Sequence, residues 1–295
     1  MSITSTIIRF MFNRADKKRD KGLTTPDDIL RYDDIVYGPY GKWNLLDVYR
    51  PRHIQQPLPV IINIHGGGWV YGTKEVYQYY CMSLAQKGFA VVNLNYRLAP
   101  EYKFPTSLED LNRVIEWVFK SPDDYGFDLD NIFLIGDSAG ANMAALYSCI
   151  CTNHEYSKFY DFDIPNNFIP KGLGLSCGMY EVVGKPDNKK KANPLLKDYL
   201  GKDNIMQRKN LIEPLRHITK DFPPVFVMTS TGDFLKEQIK PLCERLNIYG
   251  IPYISTIYGD EVTKPPHVFH CNIRSDIAKQ CNEDMSNYLK SLVSR

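Results

Sequence analysis

Ser138 is the residue in this sequence best placed to do chemistry. It lies in Gly136-Asp137-Ser138-Ala139-Gly140, a G-x-S-x-G pattern with apolar Asn131–Ile135 before it and the helix formers Ala141–Leu146 after it. Strand, one tight turn and helix are the context in which this pattern makes a nucleophile elbow. The bend drives the serine backbone toward a left-handed conformation, and a Cβ at either flanking glycine would clash across it. The plain alternative is a strand-to-helix turn that happens to contain a serine. The rest of the chain decides between them.

A serine hydroxyl attacks a carbonyl only when a base takes its proton and a third group orients that base. In this architecture the chain order is nucleophile, acid, histidine. After Ser138 come His154, His217, His267 and His270. His154 falls at the end of the elbow's own helix and His217 in a long irregular segment. Only His267 and His270 follow the last expected strand, on a loop able to reach the serine. For the acid, Asp233 follows the strand Val225–Thr229 within Ser230-Thr231-Gly232-Asp233. Asp260 and Glu261 compete from the histidine's own loop, and Asp after Gly also suits a helix N-cap.

The charge that develops on an attacked carbonyl oxygen needs fixed N–H donors. The strand Val60–Ile64 runs into His65-Gly66-Gly67-Gly68-Trp69, where consecutive glycines let main chain approach a ligand closely. A phosphate cradle would need Gly-Lys-Ser/Thr or a helix opened by G-x-G-x-x-G, and neither is present. Glycine run, elbow, acid and histidine thus fall in order at four strand ends. Each is weak alone; together they are specific.

The elements that position these groups alternate. Asp34–Tyr37 and Leu45–Tyr49 flank Gly38-Pro39-Tyr40-Gly41-Lys42, which has hairpin turn chemistry. Buried strands are expected at 60–64, 89–94, 131–135, 172–176, 225–229 and 253–258. Helices are expected from Glu75 to Lys87 and from Ser107, the latter opened by the capping box Thr106-Ser107-Leu108-Glu109. Others span about Leu235 to Tyr249 and a terminal stretch marked by Ile273, Ile277, Cys281, Tyr288 and Leu292. This alternation predicts a mostly parallel, doubly wound α/β sheet with an antiparallel hairpin at its start. Residues 33–178 and 221–295 form that core. Residues 179–220 break the pattern and read as a cap insertion. Residues 1–32 add an N-terminal cap segment, a helix with Ile3, Ile7, Phe10 and Met11 on one face, then charges from Arg14 to Lys21. A membrane surface is the other use of such a helix, but with its charges after it the segment is expected to cover the pocket.

At this point the chain resembles the hormone-sensitive-lipase-like (HGGG) group of α/β-hydrolase carboxylesterases, over about Leu45 to Arg295. His65–Trp69 resembles that group's oxyanion motif, and Tyr96-Arg97-Leu98-Ala99-Pro100-Glu101 with Phe104-Pro105 and Asp110 its next block. Gly136–Gly140 is its elbow, with Gly140-Ala141 in place of Gly-Gly. Asp233-Phe234-Leu235-Lys236-Glu237 is similar to its acid motif, and His267-Val268-Phe269 to its H-G-F, with Val268 replacing glycine. The resemblance implies an α/β-hydrolase fold with a helical cap and a triad of Ser138, Asp233 and His267. It also implies oxyanion donors from Gly67, Gly68 and Ala139, and a bracing role for Tyr96–Glu101.

The substrate is expected to be a small-molecule ester. Trp69, Tyr71 and Asp137 are candidate pocket residues. Trp69, Tyr71, Tyr77, Tyr79 and Tyr80 suggest short-chain or small aromatic acyl groups if they line the pocket, and say nothing of it if they pack the core. An amidase or formamidase with the same triad, and a non-catalytic small-molecule-binding protein of this fold, are the alternatives.

A net charge of +2 gives no case for nucleic acid, and Lys189-Lys190-Lys191 reads as a solvated loop. No apolar run approaches a membrane span, and Ile7–Phe12 is too short for a signal peptide. Seven cysteines without C-x-x-C spacing suit free thiols in the cytoplasm. No metal and no cofactor is expected, since there is no His-Glu-x-x-His and the six histidines are scattered. A homodimer is compatible with the sequence.

Overall fold

The computed structural model describes residues 3–182, 194–201 and 205–293. Helix α1 (Ile3–Asp20) precedes strands β1 (Ile29–Val36), β2 (Leu45–Pro51) and β3 (Leu58–Ile64). Next come α2 (Lys74–Ala85), β4 (Ala90–Leu94), α3 (Thr106–Lys120), α4 (Pro122–Tyr125) and β5 (Phe127–Asp137). Helices α5 (Ala139–Thr152) and α6 (His154–Ser157) lead to β6 (Gly172–Ser176), then to α7 (Pro194–Leu200) and α8 (Ile205–Leu211). Strand β7 (Val225–Ser230), helix α9 (Ile239–Tyr249), strand β8 (Tyr253–Tyr258) and helix α10 (Asp276–Ser291) follow.

All eight strands form one sheet in the order β1-β2-β4-β3-β5-β6-β7-β8. β2 runs antiparallel to both β1 and β4, and every other pairing is parallel. The fold is the expected α/β-hydrolase arrangement, with the antiparallel strands at its start. Successive side chains of a strand leave on opposite faces. Val60, Ile62, Ile64 and Leu134 therefore pack with Leu111 and Ile115 of α3 and Met143 of α5. Ile61, Phe133 and Ile135 pack on the other side with Cys81 and Leu84 of α2 and Met285 and Leu289 of α10. Each such fully buried aliphatic side chain contributes about 2 kcal/mol, and two filled faces fix the register of the strands whose ends carry the site.

Local details differ from the expectation. Helix α3 begins at Thr106 after Pro105, and no side chain caps it; the Thr106 hydroxyl donates backward to the Lys103 carbonyl at 2.8 Å. The capping box is therefore not formed: Thr106 is the first residue of the helix, and Pro105 occupies the N-cap place. Ile273 precedes α10 rather than lying in it. The stretch Lys189–Lys191 lies outside the described residues. Where 179–220 is described it holds the short helices α7 and α8.

The larger correction concerns α1. The helix does not stop before the charges but runs through them, because Ala, Lys and Arg are strong helix formers. Its apolar stripe does not face the body either: Ile3, Ile7, Phe10 and Met11 are 81%, 51%, 68% and 60% exposed. The inward face is held by polar contacts instead. Ser5 donates to Asp198 of α7, and Arg9 pairs with Glu101 at 2.7 Å while also donating to the Val70 and Ala99 carbonyls. Arg19 donates to the Val76 carbonyl at 2.6 Å. These hydrogen bonds, with Ile8 against the core and Phe12 edge-on to Tyr71, set which way this helix faces.

Candidate active site

Strand β5 ends at Asp137, and Ser138 turns out of it at φ 52°, ψ −114°, a conformation that side-chain-bearing residues avoid. A Cβ on Gly136 would lie 2.5 Å from the Gly140 carbonyl carbon, and one on Gly140 would run into the Ile64 carbonyl. The bend thus admits only glycine on both sides. The Ser138 N–H donates to the Ser176 carbonyl (2.9 Å), which ties the turn to the end of β6.

His267 Nε2 lies 3.0 Å from Ser138 Oγ, and His267 Nδ1 lies 2.7 Å from Asp233 Oδ1. A carboxylate only accepts, so Nδ1 carries the proton and Nε2 is left as acceptor for the serine hydroxyl. Asp233 is buried and takes two further bonds, from the Leu235 N–H (2.8 Å) and the Thr229 hydroxyl (2.7 Å). Burial works against its charge, but the bonds from His267, Leu235 and Thr229 outweigh that and hold it below the usual carboxylate range. Asp233 does not cap α9, which starts at Ile239. The histidine loop is fastened to the acid's strand end by the Ser230 hydroxyl donating to the Pro265 carbonyl (2.7 Å) and by a bridge between Gly232 and Pro266.

The other candidates lie elsewhere. His154 is exposed on α6, and His217 stacks on Tyr156 with ring centroids 3.7 Å apart. His270 is buried edge-on to Tyr80. Asp260 accepts from the N–H groups of Val262 and Thr263 and closes its own loop.

After β3 the glycine run turns back on itself, with the Gly67 carbonyl accepting from the N–H groups of Val70 and Tyr71. Gly67 and Gly68 have φ of 101° and 61°, and a Cβ on Gly67 would strike the Tyr71 main chain. The loop is braced from beneath. The Gly66 N–H donates to Asp137 Oδ1 (3.2 Å) and to the Tyr77 hydroxyl (3.1 Å), and that hydroxyl donates to Asp137 Oδ2 (2.9 Å). Burial lifts the Asp137 carboxyl to about 6, partly offset by the Tyr77 bond and the nearby His267. His65 donates from Nδ1 to the Gly66 carbonyl and stacks on Tyr96 at 4.1 Å, while the Tyr96 hydroxyl donates to the His65 carbonyl. Burial lowers His65 to about 4, so its ring stays neutral near pH 7. Arg97 and Asp110 form a buried pair behind this loop.

One cavity of about 530 Å³ collects Ser138, His267, Gly67, Gly68, Ala139 and the pocket candidates Trp69, Tyr71 and Asp137. Tyr77 also reaches it, whereas Tyr80 packs in the core. Leu195 just ahead of the stacked pair Trp69–Tyr199, Met179, and Phe234 beside the His267 ring (centroids 4.3 Å apart) close its sides. The residues the sequence reading missed come from α1: Phe12, Ala15, Asp16 and Arg19 line the cavity. Their i, i+3, i+4, i+7 spacing is a helix face, but its mixed chemistry hides it from a search for apolar stripes. Asp16 accepts from the Tyr71 hydroxyl (2.7 Å) and from Arg19 (2.9 Å), giving this wall a polar corner.

Cys177, Asp233 and His267 bring ligand-type atoms within 4.8 Å of one another, the one such trio among the described residues. Burial beside Asp233 pushes the Cys177 thiol well above its ordinary value. The acid and imidazole are already bonded to each other, so a protonated thiol and an occupied pair make a poor donor set for a cation.

Against known proteins, the BD-FAE family model matches residues 46–240. Esterase LipQ of Mycobacterium tuberculosis is 28% identical over 206 residues, covering 68% of this chain and 48% of LipQ. The chain thus spans about half the length of that relative. An arylesterase of Saccharolobus solfataricus is 28% identical over 235 residues, covering 72% of each chain. Among solved structures, esterase B from Lactobacillus rhamnosis superposes with a TM-score of 0.89 at 24% identity, covering 98% of this chain and 95% of that one.

Proposed function

The chain belongs to the BD-FAE family, and on that premise we propose that it is a serine carboxylesterase of the hormone-sensitive-lipase-like group, acting on short-chain or small aromatic acyl esters. The observation that carries this reading is the line Ser138 Oγ–His267–Asp233, with spacings of 3.0 and 2.7 Å, opening into a cavity of about 530 Å³. That volume suits a small ligand. Relatives named esterase and arylesterase support the same reading.

His267 takes the Ser138 proton as Oγ attacks the ester carbonyl; Asp233 holds the imidazole's tautomer and stabilises its positive charge. The amides of Gly67, Gly68 and Ala139 receive the oxyanion. His267 then gives its proton to the departing alcohol, leaving an acyl-enzyme. Water, activated by the same imidazole, releases the acid and restores Ser138. Helix α1 and the segment 179–220 act as the cap over this reaction. Seven free cysteines fit residence in the cytoplasm.

The test sets p-nitrophenyl esters of increasing acyl length beside matching anilides, with a fluorophosphonate probe in parallel. Labelling of Ser138, with esters favoured over anilides and turnover falling as the chain lengthens, is the expected result. No labelling, or preference for the anilide, overturns the assignment.

A further inference from the structure

We propose that the outward face of α1 docks on an anionic lipid layer. Ile3, Ile7, Phe10 and Met11 are exposed on this helix, and so are Arg14, Lys17 and Lys18. At 3.6 residues per turn these seven side chains fall within an arc of about 120°. One face therefore begins apolar and ends basic. The two acids of α1 point away from it: Asp16 is bonded to Tyr71 and Arg19, and Asp20 to Arg19. No carboxylate of the helix offsets the three cations.

A second copy of the chain fits this face poorly. Parallel pairing sets cation against cation, and antiparallel pairing sets the apolar half against the basic half. A lipid surface satisfies both halves at once, since apolar side chains enter the acyl boundary while lysines reach the headgroup phosphates. The opposite side of the helix, with Phe12, Asp16 and Arg19, lines the cavity, so the docking face is free of the site. Among the described residues no helix is long and apolar enough to cross a membrane, so contact would be in the plane of the surface.

The experiment is co-sedimentation of the full chain with phosphatidylcholine vesicles, with and without ~30% phosphatidylglycerol. Wild type is expected to sediment with the anionic vesicles and to be released by high salt. Lys17→Gln with Lys18→Gln is expected to weaken binding about 30-fold, roughly fivefold per cation. Ile7→Gln with Phe10→Gln is expected to weaken it at least about tenfold. Both double variants should turn over p-nitrophenyl acetate like wild type, which reports that they fold; should one fail, Lys18→Gln or Phe10→Ala alone carries the comparison. Wild type that stays in solution with anionic vesicles overturns the proposal, as does binding that both variants retain. A lipid-free dimer dissolved by the Ile7/Phe10 variant reassigns the face to a second copy. Sedimentation is read without chemistry, so its failure leaves the hydrolytic reading untouched.

Discussion

Ser138 and Gly67 in the cavity floor, with Asp233 buried behind His267, owe their places to main-chain geometry, whereas Phe12, Asp16 and Arg19 in the wall above owe theirs to side-chain contacts from one helix. The floor sits at strand ends whose register is fixed by two packed faces. Its backbone holds strained turns at Ser138, Trp69 and Cys177, and strain persists only where surroundings over-determine it. The wall hangs on contacts such as Arg9 to Glu101 and Tyr71 to Asp16, each of which is replaceable. Substitutions in the floor should therefore change how fast any ester reacts, and substitutions in the wall which ester reacts best.

The floor gives the largest effects. Ser138→Ala is expected to lower kcat by about 10⁶, and Asp233→Asn by about 10⁴, because an asparagine no longer fixes the tautomer with Nδ1 protonated. Both are read with a p-nitrophenyl ester under single-turnover conditions. A loss of only a few-fold at Asp233 would mean that the carboxylate is not what fixes the imidazole's tautomer.

Asp137 joins the floor to its support, and its charge gives a pH signature. Its folded-state value of about 6 lies above the ordinary 3.8. Folding therefore takes up a proton between those values. The favourable contribution is complete below about pH 4 and is lost as pH rises through about 6. Above that, a buried charge costs on the order of 3 kcal/mol. Asp137→Asn can keep the bonds to Gly66 and Tyr77 without the charge. It is expected to be more stable than wild type at pH 8 by about 1 kcal/mol, after roughly 2 kcal/mol for weaker hydrogen bonds. Urea unfolding at pH 8, 6 and 4 should show that advantage shrinking and, at pH 4, reversing in favour of wild type by about 1–2 kcal/mol. Turnover should fall about tenfold, since a negative charge near His267 favours the imidazolium. A variant less stable at every pH would show that the brace depends on the carboxylate itself.

In the wall, Phe12→Ala should leave kcat for p-nitrophenyl acetate within about twofold and raise KM for a bulky aromatic ester several-fold. Equal loss on both substrates would place Phe12 with the floor and break the comparison.

The same division explains what the sequence made legible. A turn that tolerates only glycine at Gly136 and Gly140, or a loop that must approach a ligand at Gly67, leaves residue types that no other physics demands. Asp233 and His267 were readable because chain order confines them to later strand ends. The inward face of α1 is not legible, because burial there does not follow hydrophobicity: Arg9, Asp16 and Arg19 face inward with partners, and Ile3 and Phe10 face out. Nothing local in the chain records those partners, which lie on loops and helices far along it.

Val268 is where floor and wall meet, and it carries the smallest predicted effect. It sits at φ 60°, ψ 29°, the left-handed region where a β-branched residue is disfavoured, and it lines the cavity directly after His267. Val268→Gly would relieve about 1–2 kcal/mol of strain. It would also lose about 1 kcal/mol to the greater freedom of the unfolded chain and up to about 1 kcal/mol of partly buried methyl contact. These nearly cancel, so thermal unfolding should show stability within about 1 kcal/mol of wild type. Val268→Ala separates the terms, since it keeps most of the strain and loses the methyls, and should be the less stable of the two. If glycine instead proves the worse, the left-handed strain at Val268 is smaller than the chain freedom glycine adds to the unfolded state, and the turn after His267 is held without backbone strain.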